Sequence, residues 1–207
     1  MTQVPRCVAD SLVDLFRISA YFAMETLKGH FLIASPQLES PIFTRSVILV
    51  IEQNDEGALG LIVNQQISTT LTDLSGKIFA DDFEWDKPLS LGGPVASSLM
   101  MLHTNEALAD EEVIPGVYIT TDGSKVQELI DERSEPSLVV ANYSGWGPGQ
   151  LDGELLADSW LTLPATVDHV FWTGQKDLWN VAVTQVQARA LAVLAGVREL
   201  PPDPSLN

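Results

Sequence analysis

The sequence contains a single cysteine, Cys7, in 207 residues. One cysteine cannot form an internal disulfide, whereas a small secreted domain more often carries an even set. The shortage of cysteine therefore favours a reducing compartment. Cys7 also has no histidine near it in the sequence, so the pattern does not indicate a catalytic thiol.

Basic residues are scarce. The chain has 11 lysines and arginines against 28 acidic residues, a formal net charge of −17. Between Ser46 and Ser124 the only basic residues are Lys77 and Lys87, against 13 acidic ones. Because DNA and RNA binding needs a clustered basic patch, we expect no direct contact with nucleic acid. The acidic residues form either a well-solvated surface or an acidic docking face.

Long uncharged apolar runs are also absent. In the apolar part of the N-terminal region, residues 12–22, Asp14 and Arg17 interrupt the pattern. No run approaches the ~20 residues of a membrane span or provides a signal-peptide core, so we expect no membrane association. Residues 1–23 are predicted to be an N-terminal extension. They form either a short amphipathic helix packed on the domain or a partner, or a segment upstream of a natural start at Met24.

The sequence carries no recognisable catalytic, cofactor or metal pattern. His30, His103 and His169 are each isolated, without the spacing of a metal site. The glycines of Gly145–Gly149 do not fit a dinucleotide-binding turn. The third glycine comes one residue early, Pro148 removes a backbone donor, and Trp146 is bulky. We therefore predict no catalytic residue, no metal ligand and no cofactor.

Hydrophobic periodicity and turn residues predict one α+β domain over residues 24–196, followed by a mobile tail at 197–207. The predicted strands are Gly29–Ser35, Ser46–Glu52, Ala58–Asn64, Pro88–Val95, Ser98–His103, Val117–Thr121, Ser137–Tyr143 and Trp160–Leu163. The predicted helices are Thr69–Leu74, Ser124–Glu132, Gln150–Asp158, Thr166–Phe171 and Lys176–Leu194. Thr69 or Thr70, Asp122 and Thr166 are predicted helix caps.

The segment from Trp146 to Glu154 is under unusual local constraint. Three glycines and a proline within five residues require special backbone angles. Gln150 and Glu154 lie one turn apart on the predicted helix, which Trp146 and Trp160 flank. These side chains either anchor the helix on the sheet or line a pocket with one aromatic wall and two polar groups, with Asn64 as a candidate neighbour.

Several segments together resemble the AlgH/YqgE family of bacterial proteins. They are residues 27–36 (LKGHFLIASP), 43–50 (FTRSVILV), 57–64 (GALGLIVN), 91–95 (LGGPV) and 145–155 (GWGPGQLDGEL). The resemblance implies a cytosolic protein in which a twisted, partly barrel-like mixed β-sheet is surrounded by helices, with no assigned cofactor. Two features depart from the family pattern. Asn142 stands where glycine is usual, and 23 residues precede Met24.

Family members are often labelled transcriptional regulators, but this sequence contains no helix-turn-helix and its charge opposes DNA contact. One hypothesis is a non-enzymatic, cytoplasmic regulatory or adaptor protein that binds an unknown protein partner. In its acidic-face version, Glu111 and Glu112 contribute to capture of the partner. The alternative is a small-ligand-binding protein or enzyme with a site at Trp146, Gln150 and Glu154. The sequence carries no signal for an oligomeric state.

Overall fold

The computed structural model describes residues 26–76 and 84–194. The predictions for the extension at 1–23 and for the tail at 197–207 concern residues outside these ranges. Within them the chain forms two β-sheets and five α-helices as a single domain. One apolar cluster contains residues of both sheets, and a second includes Leu71, Met101 and Leu129.

The first sheet is built from the most apolar runs of the sequence and is antiparallel throughout. Its five strands have the spatial order β10-β3-β2-β1-β11. Their bounds are β1 (His30–Ala34), β2 (Val47–Asn54), β3 (Gly57–Ile62), β10 (Ser144–Trp146) and β11 (Trp160–Pro164). Strands β2 and β3 form the predicted hairpin, in which Asn54 pairs with Gly57 across a two-residue turn.

The second sheet has six strands in the order β4-β5-β9-β6-β8-β7. It is mixed because β5 and β9 run parallel. The strand bounds are β4 (Gln66–Thr70), β5 (Pro88–Leu91), β6 (Met100–His103), β7 (Glu111–Ile114), β8 (Val117–Thr120) and β9 (Ser137–Ala141).

Three of the five helices begin at side-chain caps that the sequence predicts. The five helices are α1 (Leu71–Leu74), α2 (Gly123–Asp131), α3 (Gln150–Leu156), α4 (Val167–Val170) and α5 (Leu178–Leu194), with a 3₁₀ turn at Glu106–Leu108. Thr70 forms a capping box with Asp73, and Asp122 and Thr166 each accept a backbone N–H in the first turn of α2 and α4. These contacts satisfy backbone donors that the helix itself leaves unpaired.

The α+β class is confirmed, but the β-structure is divided differently from the expectation. Two separate sheets replace the single partly barrel-like sheet, and neither closes on itself within the described residues. Strands β4, β7 and β10 were not predicted. In β7, Glu111 pairs with Lys28, and Glu112 accepts a hydrogen bond from the Gly116 backbone at 3.1 Å. Both carboxylates of the suggested acidic docking face thus have contacts within the chain.

The two sheets meet at Gly92 and Gly93. The Gly92 carbonyl accepts from the Ile62 backbone N–H at 3.0 Å and from the Ser144 hydroxyl at 3.0 Å. Gly93 has φ +155°, and a Cβ atom there would lie 2.3 Å from the carbonyl carbon of Tyr143. The close approach of two backbones therefore requires glycine at this position.

His103 is fully buried on β6 of the second sheet. The Thr120 hydroxyl donates to the Leu108 carbonyl at 2.6 Å, so its oxygen accepts from His103 Nε2 at 2.8 Å. The Asn105 backbone N–H donates to Nδ1 at 3.2 Å. Both ring nitrogens are therefore satisfied in the neutral form, and burial lowers the pKa of His103 from its ordinary value of 6.5.

We expect Gly93→Ala to lower the free energy of unfolding by more than about 3 kcal/mol, since the added methyl group meets backbone atoms that cannot move independently. Gly153→Ala is the matched control, because nothing lies within 4 Å of its Cβ position. Gly153 lies inside α3, so alanine there should stabilise by about 0.5–1 kcal/mol. Urea unfolding measures both changes. A loss below about 1 kcal/mol in Gly93→Ala would contradict the close approach.

The lowered pKa of His103 predicts a pH dependence of stability. Below pH 6.5 the unfolded chain binds a proton at His103 that the folded chain does not, so folded wild type loses stability as the pH falls. His103→Gln removes this proton uptake. The stability difference between wild type and His103→Gln should therefore narrow from pH 7.5 to pH 5.5, as measured by urea unfolding at each pH. A constant difference would contradict the assignment.

Candidate functional site

The carboxylate of Glu154 accepts hydrogen bonds from two tryptophan side chains. Its Oε2 atom lies 2.9 Å from Trp146 Nε1 and 2.8 Å from Trp160 Nε1. The two indole rings meet edge to face, with centroids 6.2 Å apart. Trp146 lies on β10 and Trp160 on β11, which are the two edge strands of the first sheet. One side chain of α3 thus connects opposite edges of a five-stranded sheet.

Gln150 completes this arrangement from the preceding turn of α3. Its Nε2 atom donates to Glu154 Oε1 at 2.9 Å, and its Oε1 atom accepts from the Gly147 backbone at 3.1 Å. The first contact orients the carboxylate, and the second fixes the loop that leads into the helix. We call Trp146, Gln150, Glu154 and Trp160 the glutamate clamp.

The structure brings together three of the four predicted site residues. Trp146 is only 6% exposed, and its indole N–H faces Glu154. Asn64 lies elsewhere. Its Oδ1 accepts from the Val47 backbone at 2.8 Å and its Nδ2 donates to the Arg45 carbonyl at 2.9 Å. Asn64 thereby holds the turn at Arg45, which has φ 59°.

An open cleft of about 550 Å³ lies beside the clamp, at the tip of the β2–β3 hairpin and along β10. We call it the hairpin cleft. Its lining residues come from the β2–β3 hairpin and its turn, from β10, and from the two chain segments that precede β6 and β10. They are Glu52, Asn54, Glu56, Gly57, Ala58, Leu59, Val95, Tyr143, Gly145 and Trp146. Of the predicted site residues, only Trp146 belongs to this lining.

Strand register explains the shape of the hairpin cleft. Leu59 pairs with Glu52 on one side and with Gly145 on the other, so these three positions form a row on one face of the sheet. Gly145, at the β10 end of that row, contributes no side chain, and the Tyr143 ring borders the space above its backbone. Sequence periodicity could not reveal this row, because it depends on the pairing of three strands from distant parts of the chain.

Tyr143 and Val95 form one wall of the hairpin cleft. They are joined by two backbone hydrogen bonds of 3.0 Å each, and Val95 is 37% exposed. The Tyr143 ring lies 3.1 Å from where a Cβ of Gly145 would be.

Asn142, the departure from the family pattern, has φ 65°. Asparagine tolerates this left-handed region better than most residues, so the usual glycine can be replaced there.

The other wall of the cleft is acidic. Glu52 and Glu56 are both exposed, and no lysine or arginine is among the ten lining residues. Asn54 organises the turn between them. Its Nδ2 donates to Glu52 Oε1 at 2.8 Å, and its Oδ1 accepts from the Glu56 backbone N–H at 2.8 Å. The cleft thus combines an aromatic and aliphatic wall with a negatively charged one.

Metal-binding clusters and membrane-spanning helices are both absent from the residues that the structure describes. Across 26–76 and 84–194, no group of three or more His, Cys, Asp or Glu side chains is arranged to hold a metal ion. Over the same ranges, no helix combines the length and the apolar character that crossing a membrane requires.

A family model for DUF179, described as AlgH-like, matches residues 31–190. The chain belongs to the AlgH-like family. A UPF0301 protein of Klebsiella pneumoniae subsp. pneumoniae is 38% identical over 169 residues, covering 75% of this chain and 89% of the relative. A UPF0301 protein of Vibrio atlanticus is 35% identical over 180 residues, covering 82% of this chain and 96% of the relative. These names give a family label and indicate no enzymatic activity.

Solved structures have the fold of this AlgH-like chain. The solution structure of the AlgH protein from Pseudomonas aeruginosa matches with a TM-score of 0.66 at 24% identity, over 98% of this chain and 100% of that one. A crystal structure of a Corynebacterium diphtheriae protein matches with a TM-score of 0.65 at 23% identity, over 80% and 92%. At these identities the likeness shows the fold alone.

We expect Glu154→Ala to lower the free energy of unfolding by about 2–4 kcal/mol, because two largely buried indole N–H groups lose their acceptor. Glu154→Gln keeps one acceptor oxygen and should lower the free energy of unfolding by less than Glu154→Ala does. Glu128→Ala, an exposed glutamate on α2, is the control and should change stability by less than about 0.5 kcal/mol. Urea unfolding followed by tryptophan fluorescence measures all three. Equal effects of the two alanine variants would rule out the clamp.

Proposed function

We propose that this chain is a non-enzymatic regulatory or adaptor protein of the cytoplasm, which acts by binding another protein at the hairpin cleft. The main support is the contrast between the clamp and the cleft. Gln150 and Glu154 direct their side-chain polar atoms at Gly147, Trp146, Trp160 and each other. The cleft beside them is open and presents apolar and charged groups to solvent.

The alternative function, a ligand site or active site at Trp146, Gln150 and Glu154, receives less support from this geometry. A substrate would have to compete with the two indole donors for the Glu154 carboxylate. Ligand pockets usually enclose most of the ligand surface. Trp146 is instead packed against Trp160 inside the clamp. These contacts favour an anchoring role for the three side chains.

Regulation without direct DNA contact fits the charge of the molecule. The chain has a net charge of −17, and the cleft has glutamates but no basic side chain among its lining residues. A phosphate backbone would be repelled at such a surface. A regulatory effect of this chain is therefore assigned to a protein partner, in line with the regulator label of the family.

Site-directed cross-linking tests this proposal without disturbing the clamp. Val95→Cys, in a Cys7→Ser background, carries a benzophenone at the edge of the cleft. Leu191→Cys in the same background is the control, because Leu191 is 66% exposed on α5, outside the cleft lining. Each labelled protein is irradiated in lysate from its native cells. We expect a defined protein adduct at position 95 and none at position 191, identified by mass spectrometry.

Two results would contradict the proposal. The absence of an adduct at position 95, with labelling and folding verified, would remove the cleft as a protein-binding site. The same adducts at both positions would indicate non-specific contact. Trp146→Ala is unsuitable for this purpose, because it breaks the clamp and confounds loss of binding with loss of structure.

A further inference from the structure

We propose that the hairpin cleft accepts an extended, basic segment of the partner, which adds as a strand to β10 at Gly145 and pairs its cations with Glu52 and Glu56. This inference rests on the proposed protein-binding function and specifies the chemistry of the partner. It depends on three features of the cleft: an available strand edge, the space above Gly145 on the sheet face, and the sign of the charge.

The backbone of β10 is available on its outer side. Tyr143 directs both its N–H and its C=O at Val95, on the side away from β3. The Trp146 carbonyl points the opposite way, because a Cβ at Gly57 on β3 would lie 2.1 Å from that oxygen. Backbone groups alternate in direction along a strand, so Gly145 points its N–H and C=O outwards, as Tyr143 does.

Within the described residues, the bridge between Val95 and Tyr143 is the pairing on that outer side of the strand. The pairing ends at that bridge, because the antiparallel register carries residues 96–98 towards Asn142 and away from Gly145, and no described residue forms a backbone hydrogen bond to Gly145 on this side. The outward N–H and C=O of Gly145 are therefore available to an incoming strand. Exposed edges of this kind bind extended peptides through main-chain hydrogen bonds.

The face of the sheet next to this edge fits alternate side chains of such a strand. Gly145 leaves the space above its backbone open, Leu59 forms the floor of the cleft, and Tyr143 with Val95 supplies an apolar wall. The aliphatic stem of a lysine or arginine can lie on these residues, and its cation can reach the ring face of Tyr143 or a carboxylate. Because side chains alternate along a strand, every second residue would enter the cleft.

Charge complementarity selects a basic occupant over an acidic one. Glu52 and Glu56 stand exposed at the cleft, and the whole chain carries a net charge of −17. The long-range field therefore favours approach of a cationic segment, and the cleft gives it a defined position. A second copy of this strongly acidic chain would meet repulsion at the same place.

The test uses three fluorescein-labelled hexapeptides and fluorescence anisotropy at low and high salt. One peptide alternates Arg and Val, the second alternates Glu and Val, and the third is the Arg/Val peptide with every backbone amide N-methylated. We expect binding of the first alone, weakened by salt, because the second has the wrong charge and the third cannot pair as a strand. In two-dimensional NMR, the Gly145 amide should shift on titration with the first peptide.

Matched charge variants locate the binding. Glu52→Lys/Glu56→Lys should weaken binding of the Arg/Val peptide at least about tenfold. Glu39→Lys/Glu128→Lys changes two exposed glutamates outside the cleft by the same total charge and should weaken it less than about threefold. Circular dichroism and urea unfolding confirm that both variants fold.

Each contrary result overturns the inference. Equal weakening by the two double variants would indicate diffuse attraction to the acidic surface. Undiminished binding of the methylated peptide would exclude strand addition. If no peptide binds while the cross-link at position 95 persists, the cleft binds a partner of different chemistry and only this inference fails. If no peptide binds and no cross-link forms at position 95, the proposed function fails together with this inference.

Discussion

The hydrogen bonds from two tryptophans to the Glu154 carboxylate set the shape of the first sheet. Four steps between strands would separate the edges of a flat five-stranded sheet by about 19 Å. The indoles carried by those edges nevertheless meet at 6.2 Å. The sheet therefore curves around its core, and α3 spans the gap between β10 and β11 where a barrel would have further strand pairing. Loss of the carboxylate would leave two indole donors unpaired in a largely apolar environment.

The sequence was sufficient for elements whose signals are local. Apolar runs located β1 and β2, turn residues located the hairpin, and the caps Thr70, Asp122 and Thr166 located three helix starts. Strands β7 and β10 escaped prediction because paired glutamates and glycines do not resemble strand residues. Their pairing is imposed by distant partners, β8 and β3. The two sheets meet at Gly92, a contact between distant parts of the chain that no local pattern encodes.

The candidate site likewise contains contacts between residues close in the chain and contacts that depend on the fold. Trp146, Gln150 and Glu154, which helical spacing and flanking aromatics group in the sequence, contact one another in the structure because they are near one another in the chain. Asn64 instead contacts Val47 and Arg45, a placement that depends on how the intervening chain folds. Glu52, Leu59 and Gly145 share a row through strand register alone. Successive residues of β10 face opposite sides of the sheet. Trp146 therefore faces the clamp, whereas Gly145 faces the cleft.

The glutamate clamp also bears on the order in which the structure can assemble. Glu154 reaches eight residues back to Trp146 and six residues forward to Trp160. Closing such short loops costs little chain entropy compared with joining strands from opposite ends of the domain. The strand–helix–strand segment 144–164 can thus fix the distance between β10 and β11 before the central strands β1, β2 and β3 pair. About twenty consecutive residues would then determine the curvature of the whole first sheet.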